Sequence, residues 1–453
     1  MRISTMINPA MINPAMRQDR KLMKGTLQLN LKCTLIGLIT LFGASVSAED
    51  FLIKNATVHT VTEQGVLENT DIYVSDGFIM QVGRDLVIDT KHTLIDGKDK
   101  HVTPGLMNAS THLGLVEIGA ASSTVDYRTD NESLGASFSI APAINFLSTL
   151  VPQNRINGLT RAIVRPGGGQ SIFQGHSSAI ALLSDQQGLI AEDIAQYASY
   201  GVAGANISGG SRGSAYAVLD KALEEANYLR NNRSRYLAGF DWNFSQSVQD
   251  LDSLKSVLEK KIPLVISVHR SDDILQMIKL AKKHEIRLVI AGASEAWKVA
   301  EEIAKANVPV IMDPILNLPG SFESLAIRLE GAAILSKAGV KLVFTGIDWQ
   351  STHNAYLVRQ SAGNAVAYGM DADEALKAMT INTAEVFGIK NYGQIAIGME
   401  ADLVVWDGEP LELMTNADHV LIKGIKQPMV SRATRLRDRY WDLNDIPQKA
   451  YTR

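Results

Sequence analysis

The sequence predicts a (β/α)8 TIM-like barrel joined to a small composite β-sandwich domain formed by both chain ends. Three observations lead there. Short β-type runs fill residues 50–104, and runs of the same kind return in residues 392–433. Between them strand-like and helix-like runs alternate, which implies parallel strands. The alternating region covers roughly 280 residues, close to the ~250 residues of a common barrel. A doubly wound open sheet is the structural alternative.

The chain opens on a tandem repeat, MINPAMINPAM (Met6–Met16), which is expected to lie outside any fold. Arg17, Arg20, Lys21, Lys24 and Lys32 follow, then the apolar run CTLIGLITLFG (Cys33–Gly43) and ASVSAED. A basic stretch, an apolar stretch and small residues are the parts of a secretory signal. Residues 1–48 are therefore expected to be a signal peptide and extension, cleaved after Ala48, with the protein exported to the periplasm. The 11 residues of the apolar run fall short of the ~20 that span a bilayer. No stable membrane anchor is expected once the signal is removed.

Cleavage would remove six Lys/Arg and one Asp, leaving 38 basic against 47 acidic residues and a net charge of −9. Nucleic-acid binding wants a basic face, so that class is excluded. Cys33 is the single cysteine, so neither disulfides nor a cysteine zinc site is expected. A homo-oligomer stays open.

Residues 49–104 read as the first part of the sandwich. FLIKNATVHTV, DIYVSDGFIMQVG and HTLIDGKDKHVTPG are separated by polar turns such as SDG. Residues 105–391 read as the barrel. Its strands are expected at Ile262–Arg270, Ile286–Gly292, Val308–Pro314 and Val340–Asp348. Apolar spacing predicts helices at Asp272–His284, Glu295–Asn307 and Leu325–Gly339, then around Asn354–Gly369 and Ala372–Phe387. Residues 392–435 supply the second part of the sandwich, and 436–453 a C-terminal tail. RPGGGQSIFQGHSS (Arg165–Ser178) lacks the helix start and lysine of a phosphate loop. It reads as a tight substrate-side loop, with His176 offered to the cavity. DWNFSQSVQD (Asp241–Asp250) reads as a rim with an aromatic wall.

Four segments in order carry a resemblance over nearly the whole chain after the signal. They are HVTPGLMNASTHLGL (His101–Leu115), HRSDDI (His269–Ile274), EALKAMTINTAEVFGI (Glu374–Ile389) and GQIAIGMEADLVVWDGEPL (Gly393–Leu411). Together they resemble the amidohydrolase superfamily, in particular its imidazolonepropionase-like members. That resemblance implies one or two divalent metals at the C-terminal ends of barrel strands. The ligands are a His-x-His pair on strand one and histidines on strands five and six, with an Asp on strand eight that also shuttles protons. The metal lowers the pKa of its water to about 7, which yields a hydroxide able to attack a carbonyl.

Carried over position by position, the pattern is incomplete. Asn108 stands at the leading Asp and Ser110 at the first His, while His112 keeps the second. Ser267 stands at the usual fifth-strand ligand, with His269 two residues on. Ala291 falls at the sixth-strand place, and Asp348 keeps the Asp. The resemblance thus implies His112, His269 and Asp348 as ligands of one divalent metal, zinc, with Asp348 catalytic. The alternative is no metal at all. Ser110, Ser267, His176 and His353 are expected to touch a substrate or support the ligands. One expected function is hydrolysis of a C–N bond in a small amide, a dipeptide-like compound or a cyclic amide. The other is a metal-free descendant that binds a small-molecule ligand or a partner protein.

Overall fold

The computed structural model describes residues 49–131, 133–239, 243–346 and 352–441. The expected signal segment, Asp348, and the Asp241 and Trp242 of the expected rim lie outside the described residues.

The chain first lays down β1 (Phe51–His59), β2 (Val66–Ser75), β3 (Phe78–Gly83), β4 (Thr93–Asp96) and β5 (His101–Pro104). It then forms β6 (Leu106–Thr111), β7 (Leu159–Val164), β8 (Phe173–Ala181), β9 (Leu189–Ser199), β10 (Leu264–Val268), β11 (Leu288–Gly292), β12 (Val310–Met312) and β13 (Leu342–Phe344). It returns to the first sheet with β14 (Leu403–Trp406), β15 (Ala417–Ile422) and β16 (Ile425–Lys426).

Both chain ends join in one sheet of order β16-β15-β14-β5-β1-β2-β3, with β4 paired to the first half of β1. This is how the expected sandwich is realised: a single sheet curls around one core. Phe51, Ile53, Ile72, Val102, Leu403 and Leu421 fill that core. Removal of each such side chain from water contributes about 1.5–3 kcal/mol. The curl brings the β2–β3 turn to the β15–β16 turn, where the Cα of Gly77 lies 2.5 Å from where a Cβ on Gly424 would sit. Both glycines have positive φ, so bare backbones suit both turns.

The second sheet has order β13-β12-β11-β10-β9-β8-β7-β6. Strands β9 to β13 run parallel, as the alternation predicts. The first half differs, because β8 is antiparallel to both β7 and β9. The sheet nearly closes. Just past β13, Thr345 Oγ1 donates to the Ser110 carbonyl at 2.7 Å, and it lies 3.0 Å from Asn108 Oδ1. Strand interiors alternate as a barrel requires. Met107, Ile163, Tyr197, Val265, Val289 and Val343 pack inward, while Leu106, Val164, Ile266 and Ile290 pack in the outer layer.

Two predicted helices change form. The segment expected at Ala372–Phe387 is two helices, Ala372–Ala378 and Ile381–Phe387. The chain breaks at Thr380, while the carbonyl of Met379 turns to accept the Met107 amide at 2.8 Å. The helix expected at Leu325–Gly339 shortens to Gly331–Lys337.

One charged network binds the sheet to the barrel. Arg161 on β7 is buried and donates Nε to Asp402 Oδ2 at 2.8 Å and Nη2 to Glu400 Oε2 at 2.5 Å. Its guanidinium stacks 4.1 Å from the Tyr392 ring centre, and Tyr392 donates its hydroxyl to the Gly105 carbonyl. The Ala-Asp-Leu-Val-Val part of the C-terminal motif therefore has a structural use, since Asp402 is the counterion of a buried cation.

Candidate functional site

The C-terminal ends of barrel strands are where this architecture builds sites. Ser110 lies near the end of β6, where the pairing with β7 shifts between Asn108 and Thr111. Arg165 directly follows β7. Its Nε donates to Ser110 Oγ at 2.6 Å, and its Nη1 donates to the Pro166 carbonyl at 3.1 Å. His112 lies just beyond β6, with its ring stacked on Tyr127 at 4.0 Å and an interplanar angle of 8°.

Arg165 and His112 crowd the same loop. A Cβ on Gly167 would fall 2.8 Å from Arg165 Nη1 and 3.4 Å from His112 Nε2. The bare Cα lets the Gly-rich loop close over both groups, and the Gly167 amide bonds the Tyr127 carbonyl at 3.0 Å. Burial, with the Arg165 charge second, holds the His112 pKa well below the ordinary histidine range. His112 is therefore a neutral imidazole at neutral pH. Its Nε2 is buried and has no hydrogen-bond partner among the described residues. Tyr197 reaches the same interior from β9. Burial raises its hydroxyl pKa, and the Arg165 charge opposes that shift.

Ser267 on β10 pairs in register with Ala291 on β11 and with Ser199 on β9. The two places where the resemblance implies histidines are thus adjacent, and small side chains fill them. His269 follows β10. Its Nδ1 lies 2.8 Å from Ser294 Oγ, and its ring packs on Gly292, where a Cβ would meet His269 Cε1 at 2.7 Å. Gly292 has φ +87°, a conformation in which glycine pays no Cβ penalty.

The remaining expected residues fall elsewhere. His176 is only 6% exposed, but it lies on β8 with the parity of Ile180, whose side chain joins the outer layer. It sits beside Ser139 of the covering loop and is not offered to the interior; strand alternation puts Ser177 and Ala179 there instead. Burial lowers its pKa. His353 bridges two loops, its Nε2 donating to the Glu117 carbonyl at 3.0 Å while its own carbonyl accepts from Asn154 Nδ2 at 3.3 Å. His353 is accounted for by loop contacts, while His176 Nδ1 is buried without a hydrogen-bond partner among the described residues. Arg165 was not singled out by the sequence pattern. The signal was present as an arginine closing the β-type run LTRAIVR, directly before Pro-Gly-Gly-Gly.

Asp348 lies outside the described residues, and among those described two features oppose a metal at the strand ends. Ser110 stands at a ligand position and accepts a hydrogen bond from a guanidinium. That guanidinium also depresses His112, and the same Coulomb effect opposes a dication nearby. Among the described residues, the one grouping of three close His, Asp or Glu donors lies in the sheet domain, at His59, His101 and Glu409.

Residues 223–432 match the amidohydrolase family. A 5-methylthioadenosine/S-adenosylhomocysteine deaminase of Caldanaerobacter subterraneus is 43% identical, over a 67-residue segment that is 15% of either chain. One of the same name from Thermoanaerobacter pseudethanolicus is 25% identical over 392 residues, covering 79% of this chain and 85% of that protein. An amidohydrolase structure from Thermotoga maritima superposes with a TM-score of 0.73 at 24% identity, over 83% of this chain and 99% of its own. An adenosine deaminase of Xanthomonas campestris with bound zinc gives 0.52 at 16% identity, over 86% and 98%. Residues 223–432 thus carry an amidohydrolase family match, and the fold is that of the amidohydrolase structure from Thermotoga maritima.

Proposed function

We propose that the barrel mouth binds a small C–N-bonded molecule bearing a carboxylate or amide oxygen, and that Arg165 supplies the positive charge there without a strand-end metal. The observation that carries this reading is the 2.6 Å bond from Arg165 Nε to Ser110 Oγ. A guanidinium suits carboxylate and carbonyl oxygens, and a ligand oxygen would compete with the partners that Arg165 already has in the protein, Ser110 Oγ and the Pro166 carbonyl among them. In a water-poor interior its field is stronger than in bulk water. The substrate class follows the relatives, whose names are 5-methylthioadenosine/S-adenosylhomocysteine deaminase and dihydroorotase.

A second reading, hydrolysis of that C–N bond, is favoured by the Nε2 of His112, buried and without a hydrogen-bond partner among the described residues. A neutral imidazole can take a proton from water. A pKa held well below neutral makes it a weak base, so this reading ranks second. We also propose export to the periplasm, which N-terminal sequencing of the protein from its host would test.

The deciding experiment screens nucleosides, N-acyl amino acids and cyclic amides by thermal shift in excess chelator, and assays the binders for turnover. Binding that Arg165→Ala removes and Arg165→Lys weakens supports the first reading. Turnover in chelator that His112→Ala abolishes would put the second first. Binding untouched by Arg165→Ala would overturn the first reading, and turnover that His112→Ala leaves unchanged would overturn the second.

A further inference from the structure

We infer that His59, His101 and Glu409 hold a divalent metal ion of the imidazole-preferring class, such as zinc, at a site in the sheet domain separate from the barrel mouth. The topology brings the three together. β1 and β5 run parallel with Thr57 opposite His101, so His59 lies at the end of β1, beside His101 at the start of β5. β14 runs antiparallel to β5 with Trp406 opposite His101, and Glu409 follows three residues later. Three strands from both chain ends thus deliver one donor each to one end of the sheet.

The distances suit an ion. His59 Nε2 and His101 Nδ1 lie 2.9 Å apart, and Glu409 Oε2 lies 3.7 Å from His101 Nδ1. Zinc–nitrogen bonds of about 2.0–2.1 Å place tetrahedral ligand atoms about 3.3 Å apart, between the two observed values. Without an ion, one proton is shared between the two rings, and a metal would take its place. His59 and Glu409 line a pocket of about 290 Å³ whose other charged lining residue is Asp373. All the ionised side chains of that lining are acidic, the reverse of the barrel mouth with Arg165. Glu409 is 49% exposed, so a fourth coordination position opens to water. Two histidines and one carboxylate with an open place form a known zinc-binding set. The ion would clip the segment after β14 to β1 and β5, and so tie the two chain ends together.

The test is zinc titration of the full chain, stripped of metal, by calorimetry and thermal shift. The parent chain is expected to bind one zinc and to gain thermal stability. Glu409→Gln changes a half-exposed side chain and leaves the fold intact. It is expected to weaken zinc binding by more than the ~10–100-fold typical of a lost outer-shell partner. His101→Ala is expected to abolish binding, and His112→Ala to leave it unchanged. Equal zinc affinity in the parent, Glu409→Gln and His101→Ala would overturn the proposal, as would zinc binding lost in His112→Ala alone.

Discussion

Arg165 donates its Nε hydrogen to Ser110 Oγ across 2.6 Å, tying the end of β7 to the end of β6 through a cation and a hydroxyl. Ser110 stands where the family resemblance implies a metal-binding histidine. Among the described residues, a hydroxyl thus stands at a position where the resemblance implies a ligand, and a guanidinium bonds to it. Restoring ligands alone should then fail. Ser110→His/Ser267→His/Ala291→His is expected to hold no more zinc than the parent chain. Adding Arg165→Ala is expected to bring one further zinc per chain, counted by elemental analysis after dialysis.

Acid should destabilise the protein through His112. Its folded-state pKa lies well below the unfolded value of 6.5, chiefly from burial. Between those two values the unfolded chain binds more protons, so stability rises with pH. The stabilisation is complete above about pH 7 and falls by up to about 1.4 kcal/mol per unit as pH drops below about 6.5. His176, also lowered by burial, adds in the same direction. Urea midpoints at about pH 7.5 and about pH 5.5 check this, and His112→Asn is expected to flatten the slope.

Arg161 should be structural. Replacing it with Met leaves Asp402 without its buried partner, and breaking such a pair costs about 3–5 kcal/mol. The expected outcome in chemical denaturation is a loss of that size. An unchanged midpoint would mean that Asp402 finds another partner, since Lys423 already donates its backbone amide to it.

Gly292→Ala tests whether the loop conformation matters to His269. The new methyl would meet the His269 ring, at a residue with φ +87°. A loss of about 1–3 kcal/mol is expected, together with a shifted His269 resonance in the NMR spectrum.

Where one period dominated, the sequence was readable. VISV and LVIA are buried runs bounded by helical segments, and β10 to β13 form where expected. The antiparallel β8 escaped because FQGHSSAIA is buried on both faces and carries little alternation. The break at Thr380 escaped because its cause is a distant amide, that of Met107. At the site, the positions of Ser110, Ser267 and Ala291 at or near the ends of β6, β10 and β11 could be read from their places in the motifs. Arg165 could not, because its meaning comes from the β6–β7 pairing, which brings it to Ser110 across 55 positions of sequence.

The central claim is that a guanidinium, and no metal, is the positive charge at the barrel mouth. Crystals grown with zinc and measured at its absorption edge test it most directly. The expected map shows Arg165 Nε on Ser110 Oγ and no anomalous peak within bonding distance of His112 or His269. A zinc peak bound by His112, His269 or Asp348, with Arg165 swung away from Ser110, would contradict it.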